Sequence, residues 1–298
     1  MINFITARMR IWRANRSKIQ TMMRDGFRKA GCAMLWRKHV RLIILLSTLI
    51  TLCCGIATAH AGEKPALIAA ASGLRFAMDD LVETFERDSG RRVSVSFGSS
   101  GNIARQIRQG APYEVFLSAD ERSIADVAKA VEIVSDGALY AIGRLALFAP
   151  KGSPLAIDAN MDGLRRGVRE GIIKRFTIAN PGHAPYGRAA REALVRGGLW
   201  EKIQPMLVLG ENVSQAARFA ASGPVEGGLL AYSLVKSPAY EKRGRHVLIP
   251  PEHHAPIRHR MAVLKQAGKS ARAFYAFMTS PAARTILARH GFSLPRQE

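Results

Sequence analysis

Apolar and polar positions alternate with two different periods along this chain, and the places where the period changes are the informative ones. Val93, Val95 and Phe97 alternate with Ser94 and Ser96, the period of two of an extended segment. The pattern breaks at Gly98-Ser99-Ser100-Gly101, a small-residue turn, and a short helix follows to near Gly110, with Asn102 as its cap and Ile103 and Ile107 four apart. An earlier stretch repeats the arrangement: Leu67 to Ala71 is an apolar strand, Ser72-Gly73 a turn, and Leu74 to Asp88 a helix with Leu74, Met78, Leu81, Val82 and Phe85 at helical spacing. Val115-Phe116-Leu117 predicts a third strand, with a helix after Asp120.

Further along, Leu139 to Pro150 reads as one extended, strongly apolar strand. Phe176 to Ala179 is a strand that meets a polar loop, Asn180 to Gly187, and then a helix carrying Ala189, Ala190, Ala193 and Leu194 inward. Leu207-Val208-Leu209 leads through Gly210 to Ser214 into another helix, the fourth such unit. Gly227 to Ala231 is a strand ending at Tyr232-Ser233, Met261 to Leu264 a return strand, and Ala271 to Met278 and Pro281 to His290 two closing helices. Strand, Ser/Gly turn and helix N-terminus together form a recipe for holding an anion. The turn supplies hydroxyls, and the first amides of the helix lack an intrahelical acceptor. In open α/β sheets ligands bind off the carboxyl ends of the strands, where these turns lie.

Several blocks taken in order resemble the periplasmic molybdate-binding proteins of ABC importers. They are AAASGLRFAMDDLVETFE, FGSSGNIARQIRQGAPYEVFLSADE, NPGHAPYGRAAREAL, GENVSQA, GGLLAYSLV and AFYAFMTSPAARTILARHGF, and the resemblance spans residues 65–294. It implies a two-lobed (type II) α/β binding protein, each lobe a mixed sheet flanked by helices, with two crossover strands as hinge. Lobe 1 is expected over 62–143, lobe 2 over 144–235, and a return to lobe 1 over 236–298. By position, the resemblance implies an oxyanion site of Ser72 and Ser100 from the first lobe with Tyr186, Val213 and Tyr232 from the second, Tyr186 and Val213 acting through backbone N–H. Tyr232 departs from the family's G-x-x-Y spacing by one residue, which leaves Ala231 or Ser233 as its replacement. The implied ligand is molybdate or tungstate, with no cofactor. The implied partners are an ABC membrane permease and its ATPase, and the protein is expected to act as a monomer.

Charge and cysteine usage refine the compartment rather than the fold. The chain has 298 residues and a formal charge of +21. Residues 1–61 carry eleven Lys or Arg against one acid, Asp25. A basic n-region (Arg37, Lys38, Arg41), an uncharged run from Leu42 to Ala57 and the small-residue site Ala59-His60-Ala61 are the parts of a secretory signal. Residues 34–61 are therefore read as a signal peptide removed near Ala61, which places the mature protein in the periplasm. Residues 1–33 read as a basic, disordered, over-extended start ahead of Met34. Cys32, Cys53 and Cys54 all precede the cleavage point, so the mature protein has neither thiol nor disulfide.

The remaining basic residues are scattered through helices without aromatic interleaving. They read as a solvated surface, not a nucleic-acid face, with long-range attraction of an oxyanion as a secondary role. Enzyme classes lack support: no G-x-S-x-G, P-loop or H-E-x-x-H is present. A ligand-sensing domain of a transcription regulator on the same fold is opposed by the export signal, and a binder of sulfate or another tetrahedral oxyanion is the nearer rival. His183 has no Cys, Asp or second His beside it in sequence, and His253, His254 and His259 sit among prolines as expected of exposed loop and strand residues.

Overall fold

A computed structural model of the chain describes residues 64–134, 137–223 and 225–296. The basic segment 1–33, the signal 34–61, its cleavage point and all three cysteines lie outside the described residues. The first sheet is built from β1 (Ala66–Ala71), β2 (Val93–Gly98), β3 (Val115–Leu117), β4 (Ala138–Gly143) and β10 (Ile257–Val263), in the order β2-β1-β3-β10-β4. The second contains β5 (Leu145–Pro150), β6 (Phe176–Ala179), β7 (Leu207–Gly210), β8 (Gly227–Ala231) and β9 (Gly244–Leu248), in the order β7-β6-β8-β5-β9. In each sheet three strands run parallel, and a strand antiparallel to its neighbours is inserted beside them. The two lobes therefore share one topology.

Among the described residues, eight helices of eight residues or more flank the sheets: α1 (Arg75–Ser89), α2 (Ser100–Arg108), α3 (Glu121–Ala128), α4 (Asp162–Arg169), α5 (Pro185–Arg196), α6 (Val213–Ser222), α7 (Lys269–Phe277) and α8 (Pro281–Arg289). Their ends follow from side-chain chemistry. Asp120, Asn212 and Ser280 each accept a hydrogen bond from the amide three residues on. Pro185 and Pro281 stand in the first turns of α5 and α8, where a missing N–H costs nothing. α1 buries Ala77, Met78, Leu81 and Phe85 on one stripe and stops at Gly90, whose φ of 66° suits glycine. α2 begins at Ser100, earlier than its pattern suggests. Its cap position is Ser99, and Asn102 is an interior residue whose amide reaches Glu211 at 3.3 Å.

Burial follows the strand period. Ile68 and Ala70 of β1 pack with Leu81, Phe85 and Phe274 on one face of the first sheet, while Ala69 joins Ile103, Ile107 and Phe116 on the other. β5 is flanked by β8 and β9 and is buried at every position, which is why its sequence is an unbroken apolar run. The apolar stretch expected as one strand is two, β4 and β5, divided at Arg144, where the chain first passes from one sheet to the other. The return falls later than residue 236. β9 pairs with β5 from Gly244 to Leu248, so residues up to Leu248 still belong to the second sheet, and the chain rejoins the first only at β10. GRHVL is short and basic at its start, too weak a pattern to announce a strand, but it covers the outer edge of β5.

Candidate functional site

The parallel strands of both sheets deliver their following turns to one place between the lobes. A small cavity is lined by Ser72 and Gly73 after β1, Ser99 and Ser100 after β2, and Ala119 after β3; Ala184 to Tyr186 after β6 and Val213 after β7 close it from the other side. α2, α5 and α6 all start at this point, and a short 3-10 turn, Ser72–Leu74, leads into α1 beside them. Each helix N-terminus carries amides without an intrahelical acceptor and roughly half a positive charge. Among the described residues, no Asp, Glu, Lys, Arg or His lines the cavity. The arrangement can therefore surround a compact anion with neutral donors from several directions.

Of the five residues expected at the site, four meet here: Ser72, Ser100, Tyr186 and Val213. Ser100 is fully buried and its Oγ accepts from the Ala119 amide at 2.9 Å. The Ser72 Oγ accepts from the Ser214 amide at 3.4 Å, and the Ser214 hydroxyl donates to the Ser72 carbonyl at 2.7 Å, so these bonds cross from one lobe to the other. The free space among these groups is about 10 Å³, no more than a single water needs. The two lobes are thus drawn close together around this space.

Tyr232 is not among the residues that line the cavity. β8 ends at Ala231, and Tyr232 opens a single helical turn. Its ring lies 4.9 Å from the Arg144 guanidinium and 5.6 Å from the His246 ring, and its amide donates to the Arg144 carbonyl at 2.9 Å. The next residue turns inward instead: Ser233 is buried, and its hydroxyl donates to the Gly73 carbonyl at 2.7 Å.

Tyr186 acts at two ends. Its backbone stands at the N-terminus of α5 on the cavity, while its ring passes into the first lobe. There its hydroxyl meets His259 Nε2 at 3.3 Å, and His259 Nδ1 meets the Tyr140 hydroxyl at 3.2 Å. Tyr140 donates to the Ser118 carbonyl at 3.3 Å, so its oxygen accepts from Nδ1–H and Nε2 is left to accept from Tyr186. All three side chains are buried. Burial pushes the imidazole down to about 3 and both phenols upward, so the trio is neutral at ordinary pH. Gly143 allows this approach, because a Cβ there would overlap the Tyr186 hydroxyl.

His259 is thus a core residue and not the exposed one that its proline-rich surroundings suggest. The inward alternation Ile257, His259, Met261 along β10 was the signal that could have found it. Ser99, doubled with Ser100 in the same turn, also lines the cavity though it is not among the five expected residues. Its hydroxyl pairs with His183 Nδ1 at 2.8 Å, and the Gly101 amide donates to the His183 carbonyl at 3.0 Å. The Ser99 and Gly101 contacts tie His183 to the first lobe, while its Nε2 lies 3.5 Å from Glu211 of its own lobe, and it is not among the cavity's lining residues. A Cβ on Gly101 would stand 2.6 Å from the His183 carbonyl oxygen, so this contact requires glycine.

Comparison with known proteins agrees with this geometry. Residues 66–293 match the family described as bacterial extracellular solute-binding protein. The chain is 33% identical over 250 residues to the molybdate-binding protein ModA of Rhodobacter capsulatus, covering 83% of this chain and 94% of that one. It is 32% identical over 258 residues to ModA of Azotobacter vinelandii, covering 85% and 97%. The solved structure of the Azotobacter vinelandii periplasmic molybdate-binding protein superposes with a TM-score of 0.70 at 30% identity, covering 78% of this chain and all of that one. Two sheets of like topology, turns converging between them and a family match across nearly every described residue lead to one conclusion: the chain belongs to the bacterial extracellular solute-binding proteins.

Proposed function

We propose that this protein captures molybdate in the cleft between its lobes, accepts tungstate as a near-equal, and hands the anion to the permease of an ABC importer. The observation that carries the reading is the convergence of helix N-termini and the Ser72 and Ser100 hydroxyls on a cavity with no charged lining residue, in a chain about a third identical to molybdate-binding relatives.

A fully ionised dianion needs donors only. Hydrogen bonds to a charged group contribute about 1.5–3 kcal/mol each. Five to seven of them total about 7.5–21 kcal/mol, against the roughly 8.2 kcal/mol of a micromolar complex, before dehydration and lobe closure reduce that total. Phosphate at neutral pH still carries a proton and requires an acceptor, and the lining offers no carboxylate. Sulfate needs no acceptor but is smaller, so a cage of backbone amides sized for molybdate holds it less closely.

The protein acts by binding and release rather than by turnover. Export by the signal at 34–61, with cleavage near Ala61, places it outside the cytoplasmic membrane, where a monomer meets its permease. Calorimetric titration with molybdate, tungstate, sulfate and phosphate tests the reading. Micromolar or tighter binding of the first two, with the others much weaker, is expected. Equal or tighter binding of sulfate would replace this function with sulfate capture.

A further inference from the structure

The cavity itself has no charged lining, but the surface next to it does. A groove of about 510 Å³ runs along the exposed side of α5, with Arg188, Arg191 and Arg196 on its wall and His253 and His254 opposite. A smaller recess of about 150 Å³ adds Arg122. That recess shares Arg188, Glu192 and Ala255 with the groove, and Ala119 and Pro185 with the cavity, so the three spaces adjoin in sequence. Two acids lie along this line, and both are engaged. Glu192 accepts from the Ala255 amide at 2.8 Å, and Asp120 caps α3 while pairing with Arg188. The Arg188–Asp120 pair stands at the neck between groove and cavity. Arg188 belongs to the second lobe and Asp120 to the first, so the pair forms only when the lobes are together.

Building on the molybdate reading, we propose that this arginine groove is the approach route of the oxyanion, and that Arg188–Asp120 is the gate that closes behind it. Holding the cations outside the cavity separates two tasks. The groove concentrates the dianion and speeds its arrival, an effect that salt screens. The neutral donors inside set how long it stays. Cations within the cavity would strengthen binding and slow release together.

Stopped-flow fluorescence of molybdate binding separates the two rates. The double substitution Arg122→Gln/Arg196→Gln touches exposed side chains away from the cavity. It should lower the association rate about tenfold at roughly 10 mM salt, where charges act over ~30 Å, with the gap closing to within about twofold near 1 M. The dissociation rate should not change. Arg188→Gln should lower association and also raise dissociation about fivefold. Equal association rates at low salt in wild type and double variant would overturn the route, as would a loss carried by dissociation alone. Molybdate binding by the wild type with salt-independent association would leave the proposed function standing and remove only this inference. A wild type that binds no molybdate would remove both.

Discussion

Replacing His259 with Gln should abolish an acid sensitivity that can be calculated in advance. The imidazole is fully enclosed between Tyr140 and Tyr186 and is pushed down to about 3 by burial. In the unfolded chain it titrates near 6.5. Between those two values the unfolded state binds a proton that the folded state refuses, so stability falls as pH falls through this window and is fully present only above about 6.5. At pH 4.5 the chain is about two units below the unfolded value. At about 1.36 kcal/mol per unit the loss is about 2.7 kcal/mol relative to pH 7.5.

Other groups respond to acid as well. Asp80 is held low by the hydrogen bond from His290; at Asp158 amide hydrogen bonds from Gly163, Asp162 and Asn160 outweigh the upward push of burial; and His246 is lowered by burial. All three are present in both proteins and cancel in the difference. Urea unfolding of wild type and His259→Gln at pH 7.5, 6.0 and 4.5 is the assay. The wild type's advantage should shrink by about 2.7 kcal/mol across the series. Parallel pH profiles would show that His259 takes up its proton in the folded protein as readily as in the unfolded one, and the buried neutral trio would be wrong.

Three further substitutions probe the site. Gly101→Ala places a Cβ 2.6 Å from the His183 carbonyl and props the lobes apart; molybdate affinity should drop at least tenfold by calorimetry, while ligand-free stability holds or gains up to about 1 kcal/mol from helix propensity. Ser100→Ala removes a buried hydroxyl at the cavity and should weaken molybdate binding about tenfold, or about 1.4 kcal/mol; unchanged affinity would strike Ser100 from the site. Tyr232→Phe should leave the molybdate Kd within about twofold, because its ring packs on Arg144 and His246 and not on the cavity; a tenfold loss would return its hydroxyl to the ligand.

Much of the fold was legible because each strand-to-helix unit is local. The period-two run at Val93 to Phe97 and the helical stripe through Met78, Leu81 and Phe85 need no distant partner to be recognised. Ser72, Ser100, Tyr186 and Val213 came from the family resemblance by position, and each sits where a strand gives way to a helix. What was hidden depends on contacts distant in sequence. β9 exists because β5 offers it an edge, and GRHVL alone does not say so. At the end of β8 the change from strand to helix decides which of two adjacent side chains faces inward, and period counting cannot choose between Tyr232 and Ser233. His259 looked exposed among prolines, yet Tyr140 and Tyr186 enclose it from 119 and 73 residues away.

In the proposed function, neutral donors from both lobes enclose one oxyanion. Crystals of the protein grown with molybdate, measured at the molybdenum absorption edge, test it most directly. One anomalous peak per chain is expected, within hydrogen-bond distance of the Ser72 and Ser100 hydroxyls and the Tyr186 and Val213 amides. A peak seated on arginines of the outer groove, with none between the lobes, would contradict it.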